Sequence, residues 1–384
     1  MKILLVANTL PPADLSGVGE QVLQLSRALA ERGHDVRILG RGSGGARGPK
    51  LFFPLTIVVP FLREILRFRP DVVQVHESDG ALAALALKTL GSTLGPEPVL
   101  SALLQVSYWQ EFRAVRPIRH QGRVLGRPGA QELRFRWLKA PLQIVLGWLT
   151  AWLADRVLAP SETTAGELRR DYGVSEVSVV PNATAPTSGA PPSSNDLPSL
   201  LFVGRLRVRK GLEVAFHALS LLRRSGIQPR LVVAGDGEHR ARLEQLARDL
   251  ALESQVEFLG RRSRDQVQAL MATATVLVVP SLYEGMPLVI VEAMQSALAV
   301  VASAVSGIPE VVVDGETGWL VPCEDPVALA RALEEAVGDP LEARRRGAAG
   351  HRRFEREYAP EKAARLWEEA VGTTFLEPQA EEEN

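Results

Sequence analysis

The 384-residue chain has a single cysteine, Cys323, few aromatic residues (5%) and a formal net charge of −1. One cysteine excludes an internal disulfide framework or a multi-cysteine zinc site, and it fits a reducing compartment. The balance of 44 basic against 45 acidic residues argues against broad nucleic-acid binding through a basic surface. No apolar run approaches the ~20 residues of a membrane span. The longest, Ala140 to Ala154, contains Pro141 and Gln143. The apolar start, Ile3 to Ala7, is too short for a signal-peptide core and reads as a strand. Lysine is scarce, at six of the 44 basic residues, which we read as compositional bias and not as a sign of heat stability.

What is present is length and a 46% hydrophobic composition, enough for two domains with large cores. Lys2–Ala7, Asp35–Leu39, Asp71–Val75, Val99–Leu104 and Arg156–Ala159 read as strands, with helical periodicity between them, as at Val22, Leu25, Leu29 and Ala30. Arg41–Lys50, rich in glycine and basic residues, reads as an exposed loop. Ala185–Pro198 is a Pro/Ser/Ala stretch without periodicity, the signature of a linker. After it, strands at Leu200–Val203, Arg230–Ala234, Val256–Leu259, Thr275–Val279 and Val300–Ala302 alternate with helices at 212–224, 238–250, 265–272 and 287–296. Two helical stretches, 326–357 and 361–370, and a solvated acidic tail finish the chain. Such alternation implies parallel sheets with covered faces. The expected fold is α/β, with two doubly wound Rossmann-like domains facing across a cleft. The expected division is a first domain over 1–184, a linker over 185–198, a second domain over 199–358 and a terminal helix with tail over 359–384. Ligands of such sheets bind at the carboxyl ends of the strands.

The loops at those ends carry the candidate chemistry. Gly204-Arg205-Leu206-Arg207-Val208-Arg209-Lys210-Gly211 follows a strand and opens a helix. Arg205 can grip a phosphate bidentately, Lys210 adds a point charge, and a helix N-terminus offers free N–H groups. An ordinary basic loop is the plainer reading. Glu284-Gly285-Met286-Pro287-Leu288-Val289-Ile290-Val291-Glu292 places two glutamates eight residues apart. Pro287 suits a first helical turn, leaving the Leu288 and Val289 N–H groups to meet an anion or a sugar oxygen. The spacing does not favour the close carboxylate pair of a glycosidase; two glutamates serving different parts of one extended ligand fit better. Pro11–Glu20 holds Gly17 and Gly19 but has Val22 where a dinucleotide fingerprint needs glycine, so nicotinamide binding is rejected. Gly235-Asp236-Gly237 is either a plain turn or a close approach to a ligand. His76-Glu77 ends a strand of the first domain.

These motifs together resemble glycosyltransferase family 4, retaining enzymes of GT-B fold. The similarity rests on residues 280–322 (PSLYEGMPLVIVEAMQSALAVVASAVSGIPEVVVDGETGWLVP), GRLRVRKG at 204–211, VAGDGE at 233–238, VEFLGR at 256–261, SGVGEQVLQLSRALAERGHDV at 16–36, RVLAPSE at 156–162 and VVPN at 179–182. It covers nearly the whole chain, weakly from 37 to 155 and strongly from 199 to 323. The resemblance implies that Arg205 and Lys210 neutralise the diphosphate of a nucleotide-sugar, a UDP- or GDP-sugar. It implies that Glu284 contacts the donor sugar and Glu292 the ribose hydroxyls. Gly285, Met286, Pro287, Leu288 and Val289 would meet sugar and phosphate through their backbone. Gly235, Gly260 and Arg261 would line the nucleotide site, the last two near the base, and Gly17 would close over the phosphates. It further implies hexosyl transfer with retention, without metal or tightly bound cofactor, in cell-envelope polysaccharide or glycolipid synthesis on the cytoplasmic side. The sequence departs from the family in the first domain. Gln105 stands near the position of a usual histidine, and Gln74-Val75-His76 keeps one of two, so His76 is the remaining candidate there. Those departures keep open a non-catalytic nucleotide-sugar-binding protein, and a GT-B sugar-nucleotide epimerase is a further alternative.

Residues 101–150 hold eight basic side chains against two acids, Glu111 and Glu132, with tryptophans and phenylalanines interleaved. This segment reads as a solvated loop with a core helix, as peripheral contact with an anionic membrane through 108–148, or as a site for an anionic acceptor.

Overall fold

A computed structural model describes residues 1–8, 10, 17–41, 52–94, 96–184 and 199–372. Residues 42–50 of the exposed loop expected over 41–50, the linker over 185–198 and the acidic tail lie outside the described residues. The chain divides into two compact units. One comprises Met1–Gln105, Val145–Ala183 and the chain from Pro360; the other comprises Val106–Ile144 and Thr184–Ala359.

In chain order the first strands are β1 (Lys2–Ala7), β2 (Asp35–Gly40), β3 (Val72–His76), β4 (Val99–Leu103), β5 (Ile118–His120), β6 (Arg123–Gly126), β7 (Arg156–Ala159) and β8 (Ser178–Val179). All but β5 and β6 form a parallel sheet of order β2-β1-β3-β4-β7-β8 in the first unit. β1 is buried from Ile3 to Ala7, as a strand covered on both faces must be. The second unit holds β9 (Ser199–Val203), β10 (Arg230–Ala234), β11 (Val256–Gly260), β12 (Val276–Val279), β13 (Ala299–Ser303) and β14 (Gly318–Val321), in the parallel order β11-β10-β9-β12-β13-β14. Helices on both faces enclose two apolar layers in each unit.

The units differ from the sequence division in two places, each with a packing reason. β5 and β6 form an antiparallel hairpin within a stretch of alternating arginines and apolar residues. Its Ile118, fully buried, and Leu125 pack into the core of the second unit beside Leu200 and Phe216. The terminal helix, Pro360–Val371, sends Ala364, Trp367 and Val371 into the core of the first unit against Leu5 and Leu29. The single helical stretch expected over 326–357 is two helices, Pro326–Gly338 and Pro340–Glu357. Pro340 cannot continue the first helix. Asp339 caps the second by accepting the Leu341 and Glu342 N–H groups.

Candidate functional site

In the second sheet β9 lies between β10 and β12, so strand order reverses there. The loops after β9 and β12 leave the carboxyl ends of adjacent strands at this switch point, where open α/β sheets bind ligands. They are the two loops singled out by their sequence. After β9 the chain runs through a 3-10 turn, Val208–Lys210, into helix Leu212–Arg224. Gly211 links the two with φ +67, and a Cβ on it would sit 1.9 Å from the Pro280 carbonyl oxygen. Only glycine allows both the left-handed backbone and that approach. The Leu282 N–H then donates to the Arg209 carbonyl at 2.8 Å. The two loops are thereby one backbone-bonded unit.

That contact brings Lys210 to Glu284. The Lys210 ammonium donates to Glu284 Oε1, and the Ser281 hydroxyl donates to the same oxygen at 2.8 Å. Burial opposes the charge on Glu284, but Lys210 and Arg209 beside it, with the hydrogen bonds from Lys210 and Ser281, hold its carboxyl below the usual range. Burial lowers the Lys210 ammonium, an effect that Glu284 only partly offsets. Arg205 is exposed and, among the described residues, makes no ion pair. The helix after the second loop is Leu288–Gln295 with Pro287 as its N-cap, one position earlier than the first-turn placement expected. Among the described residues the Leu288 and Val289 N–H groups have no acceptor. Gly285 and Met286 are buried and Glu292 is half-buried on the helix. The arrangement offers one free guanidinium, one paired ammonium and two helix-end donors, a set suited to an anion.

The remaining candidates of this unit lie on neighbouring strand ends. The Gly235 N–H donates to the Gly260 carbonyl at 2.9 Å, joining the ends of β10 and β11, and Arg261 follows exposed. A Cβ at Gly235 would lie 1.8 Å from the Gly204 oxygen, and one at Gly237 would lie 2.3 Å from the Leu206 oxygen. These glycines are a close approach, and what approaches is the 204–206 backbone. In the first unit Gly17 is the exposed first residue of helix Gly17–Glu31. His76 closes β3 and is 2% exposed. Burial pushes its imidazole down to about 3, and its Nε2 lies 2.9 Å from Gln74 Nε2. Gln105 is locked to Asn182 by reciprocal amide bonds of 2.9 and 2.8 Å. Neither side chain is presented as a proton carrier.

Sequence reasoning missed a buried cluster beneath the basic loop. Glu132 Oε1 accepts the Val208 N–H at 3.0 Å and its Oε2 lies 2.8 Å from His239 Nε2. Glu213 Oε1 faces His239 Nδ1 at 3.3 Å. Burial disfavours charge on His239, but bonds to Glu132 and Glu213 raise it to about 9. Arg209 faces Glu111 at 3.4 Å. The available signal was that Glu111 and Glu132 are the sole acids of a basic segment. Glu132, Glu238 and His239 each offer an atom that could ligate a metal ion, and with Glu213 the carboxylates form a buried ion cluster around the imidazole. Among the described residues no helix is long and apolar enough to cross a membrane.

Residues 188–353 match the family model for glycosyl transferases group 1, and residues 16–183 match that for a glycosyl transferase 4-like domain. The chain is 29% identical to a glycogen synthase of Mycobacterium tuberculosis, over 92% of this chain and 90% of that protein. It is 28% identical to a D-inositol 3-phosphate glycosyltransferase of Catenulispora acidiphila, over 85% of this chain and 83% of that one. Its fold is similar to that of sucrose-phosphate synthase from Thermosynechococcus elongatus, with a TM-score of 0.79, 23% identity and coverage of 98% and 99% of the two chains. Anabaena HepE in complex with UDP and glucose gives a TM-score of 0.71 at 18% identity, over 97% and 99%. With the two family models together spanning residues 16–183 and 188–353, the chain belongs to the GT-B glycosyltransferases of the family 4 type.

Proposed function

We propose that this chain is a retaining, metal-independent hexosyltransferase using a UDP- or GDP-sugar. The carrying observation is the Lys210–Glu284 pair at the switch point of the second sheet, flanked by the free Arg205 and the open helix end at Leu288. The departing nucleoside diphosphate gains negative charge as the glycosidic bond breaks. Preorganised cations and N–H groups stabilise charge where it develops, and Arg205, Lys210 and the Leu288 and Val289 N–H groups supply it here. Lys210 has three donors, so it can keep Glu284 while meeting a phosphate oxygen. Glu284 faces the donor sugar and Glu292 the ribose, with Gly260 and Arg261 beside the base. The acceptor, a glycolipid, polysaccharide or small molecule, binds the first unit, and the enzyme works on the cytoplasmic side with 108–148 against an anionic membrane. The UDP held by HepE and the similarity to glycogen synthase support this reading. The test is incubation with UDP- and GDP-sugars and candidate acceptors, reading diphosphate release and the anomeric configuration of the product. An inverted product would overturn the retaining mechanism.

The burial of His76 and the locked Gln105–Asn182 pair favour a second reading, a nucleotide-sugar-binding protein without turnover. Saturable donor binding with no diphosphate released across the acceptor panel would establish it.

A further inference from the structure

Segment 106–144 has two chemically opposite sides. Its acids, Glu111 and Glu132, are both buried, while seven arginine and lysine side chains between 113 and 139 are exposed. No exposed carboxylate of its own offsets them. Trp137 is 64% and Leu138 70% exposed, and Arg134, Leu138 and Leu142 follow one another at four-residue spacing. Trp137 is braced edge-on against Phe112 with ring centroids 6.0 Å apart, and the Arg136 guanidinium lies 4.8 Å from the Phe112 ring centre. A tryptophan beside aliphatic side chains and exposed cations, of which Arg116 is paired with Glu324 at 2.8 Å, is the composition of a bilayer interface. Each cation near an anionic bilayer strengthens binding roughly fivefold.

The buried side reaches the donor loop. Helix Ala130–Arg134 opens a helical run that continues through one wider turn, Phe135–Lys139, into helix Ala140–Leu153. It is held at its start by the Gly129 N–H on Glu132 and the Gln131 N–H on Glu238. Glu132 points inward to the Val208 N–H, in the middle of the Arg205–Lys210 loop. Its neighbours Leu133 and Arg134 point outward. Whatever fixes the start of this helix from outside also fixes the carboxylate that holds the loop.

We propose that the exposed face of 106–144 docks on an anionic lipid bilayer and that Glu132 transmits docking to the 204–211 loop, so that membrane binding tightens nucleoside-diphosphate binding. Glu132 is here a positioning residue. The inference rests on the donor-site reading above. By linkage the effect is reciprocal: bound diphosphate raises affinity for the bilayer by the same factor.

The test uses the full chain with UDP and GDP in parallel, in buffer, with phosphatidylcholine vesicles, and with vesicles containing phosphatidylglycerol. Affinity for the better diphosphate should rise about fivefold or more on phosphatidylglycerol vesicles and stay unchanged with phosphatidylcholine alone. Trp137→Ser with Leu138→Ser should abolish co-sedimentation with vesicles and keep the affinity measured in buffer. Glu132→Gln, checked for folding by thermal melting, should still co-sediment but lose the gain; Arg134→Glu with Lys139→Glu should lose docking and hence the gain. Diphosphate binding that ignores vesicles, or a gain that survives in Glu132→Gln, overturns the inference alone. Failure of both diphosphates to bind in any condition overturns the donor reading with it. Self-association removed by the Trp137 change, with no vesicle binding, would assign the face to a second copy of the chain and also overturn the proposal.

Discussion

The Lys210 ammonium is paired with the Glu284 carboxylate across two loops that the close approach of Gly211 to Pro280 and the Leu282 N–H bond to the Arg209 carbonyl bring together. The cation assigned to the diphosphate and the acid assigned to the sugar therefore restrain each other before any ligand arrives. Glu284→Gln keeps the shape of the acid and removes its charge, releasing Lys210 to an anion. UDP should bind more tightly to this variant while transfer falls. Calorimetry and steady-state rates separate the two effects, and weaker UDP binding would show that the carboxylate supports the cation more than it competes for it.

Lys210→Ala removes the cation and leaves Glu284 buried without its main partner. Transfer should fall by about 10² to 10³, the usual loss for one preorganised contact to developing charge. Arg205→Ala should produce a similar loss with less effect on stability, because its side chain is exposed. Comparing the melting temperatures of the two variants tests that distinction.

Gly211→Ala combines two penalties: a left-handed backbone and a Cβ 1.9 Å from the Pro280 oxygen. Gly226 also has positive φ, +83, but nothing lies within 4 Å of a Cβ there. Gly226→Ala should cost about 1 kcal/mol, the strain alone. Gly211→Ala should cost at least twice that, and it should separate the loops, so donor binding should fail even where the chain stays folded. Urea unfolding of both variants supplies the comparison.

Much of this was legible because local rules carry it. The continuous apolar runs of β1 and β9 announce buried parallel strands, and the loops at 204–211 and 280–292 follow strands in the second unit. What was not legible depends on chain segments that meet only in the folded protein. Nothing local tells that Ile118 packs with Phe216, so residues 106–144 read as part of the first domain. Glu132 looks like a surface acid until Val208 and His239 are placed against it. His76 occupies a plausible position at a strand end, but it is buried beside Gln74, whose side chain takes the indole N–H of Trp367 from 293 residues further along the chain. Gly235 and Gly237 fit a ligand-facing turn as well as the backbone contact with 204–206 that they make.

His239 makes stability fall with alkali. Its folded value is about 9, against about 6.5 in an unfolded chain. A group raised on folding stabilises fully below the unfolded value, and the contribution is lost as pH rises through the folded value. The stake is about 3 kcal/mol at most, and it disappears between about pH 6.5 and 9. Glu132, Glu213 and Glu238 surround the ring. His239→Gln should therefore lower stability at pH 6 and flatten its decline toward pH 9. A parallel decline in both proteins would show that other groups govern the alkaline limb.

His76 works in the opposite direction. The Trp367 N–H donates to Gln74 Oε1, and Gln74 faces the His76 ring, inside a core that keeps the imidazole neutral down to about pH 3. The unfolded chain takes up a proton that the folded chain refuses, so stability falls as pH drops below about 6.5. The loss is about 2 kcal/mol by pH 5. His76→Gln retains an acceptor for Gln74 without a titrating ring. It should remove that part of the acid sensitivity and leave kcat per folded molecule, and the pH profile of kcat, unchanged. A stable His76→Gln protein whose kcat falls a hundredfold would return His76 to the catalytic role that its place at the end of β3 first suggested.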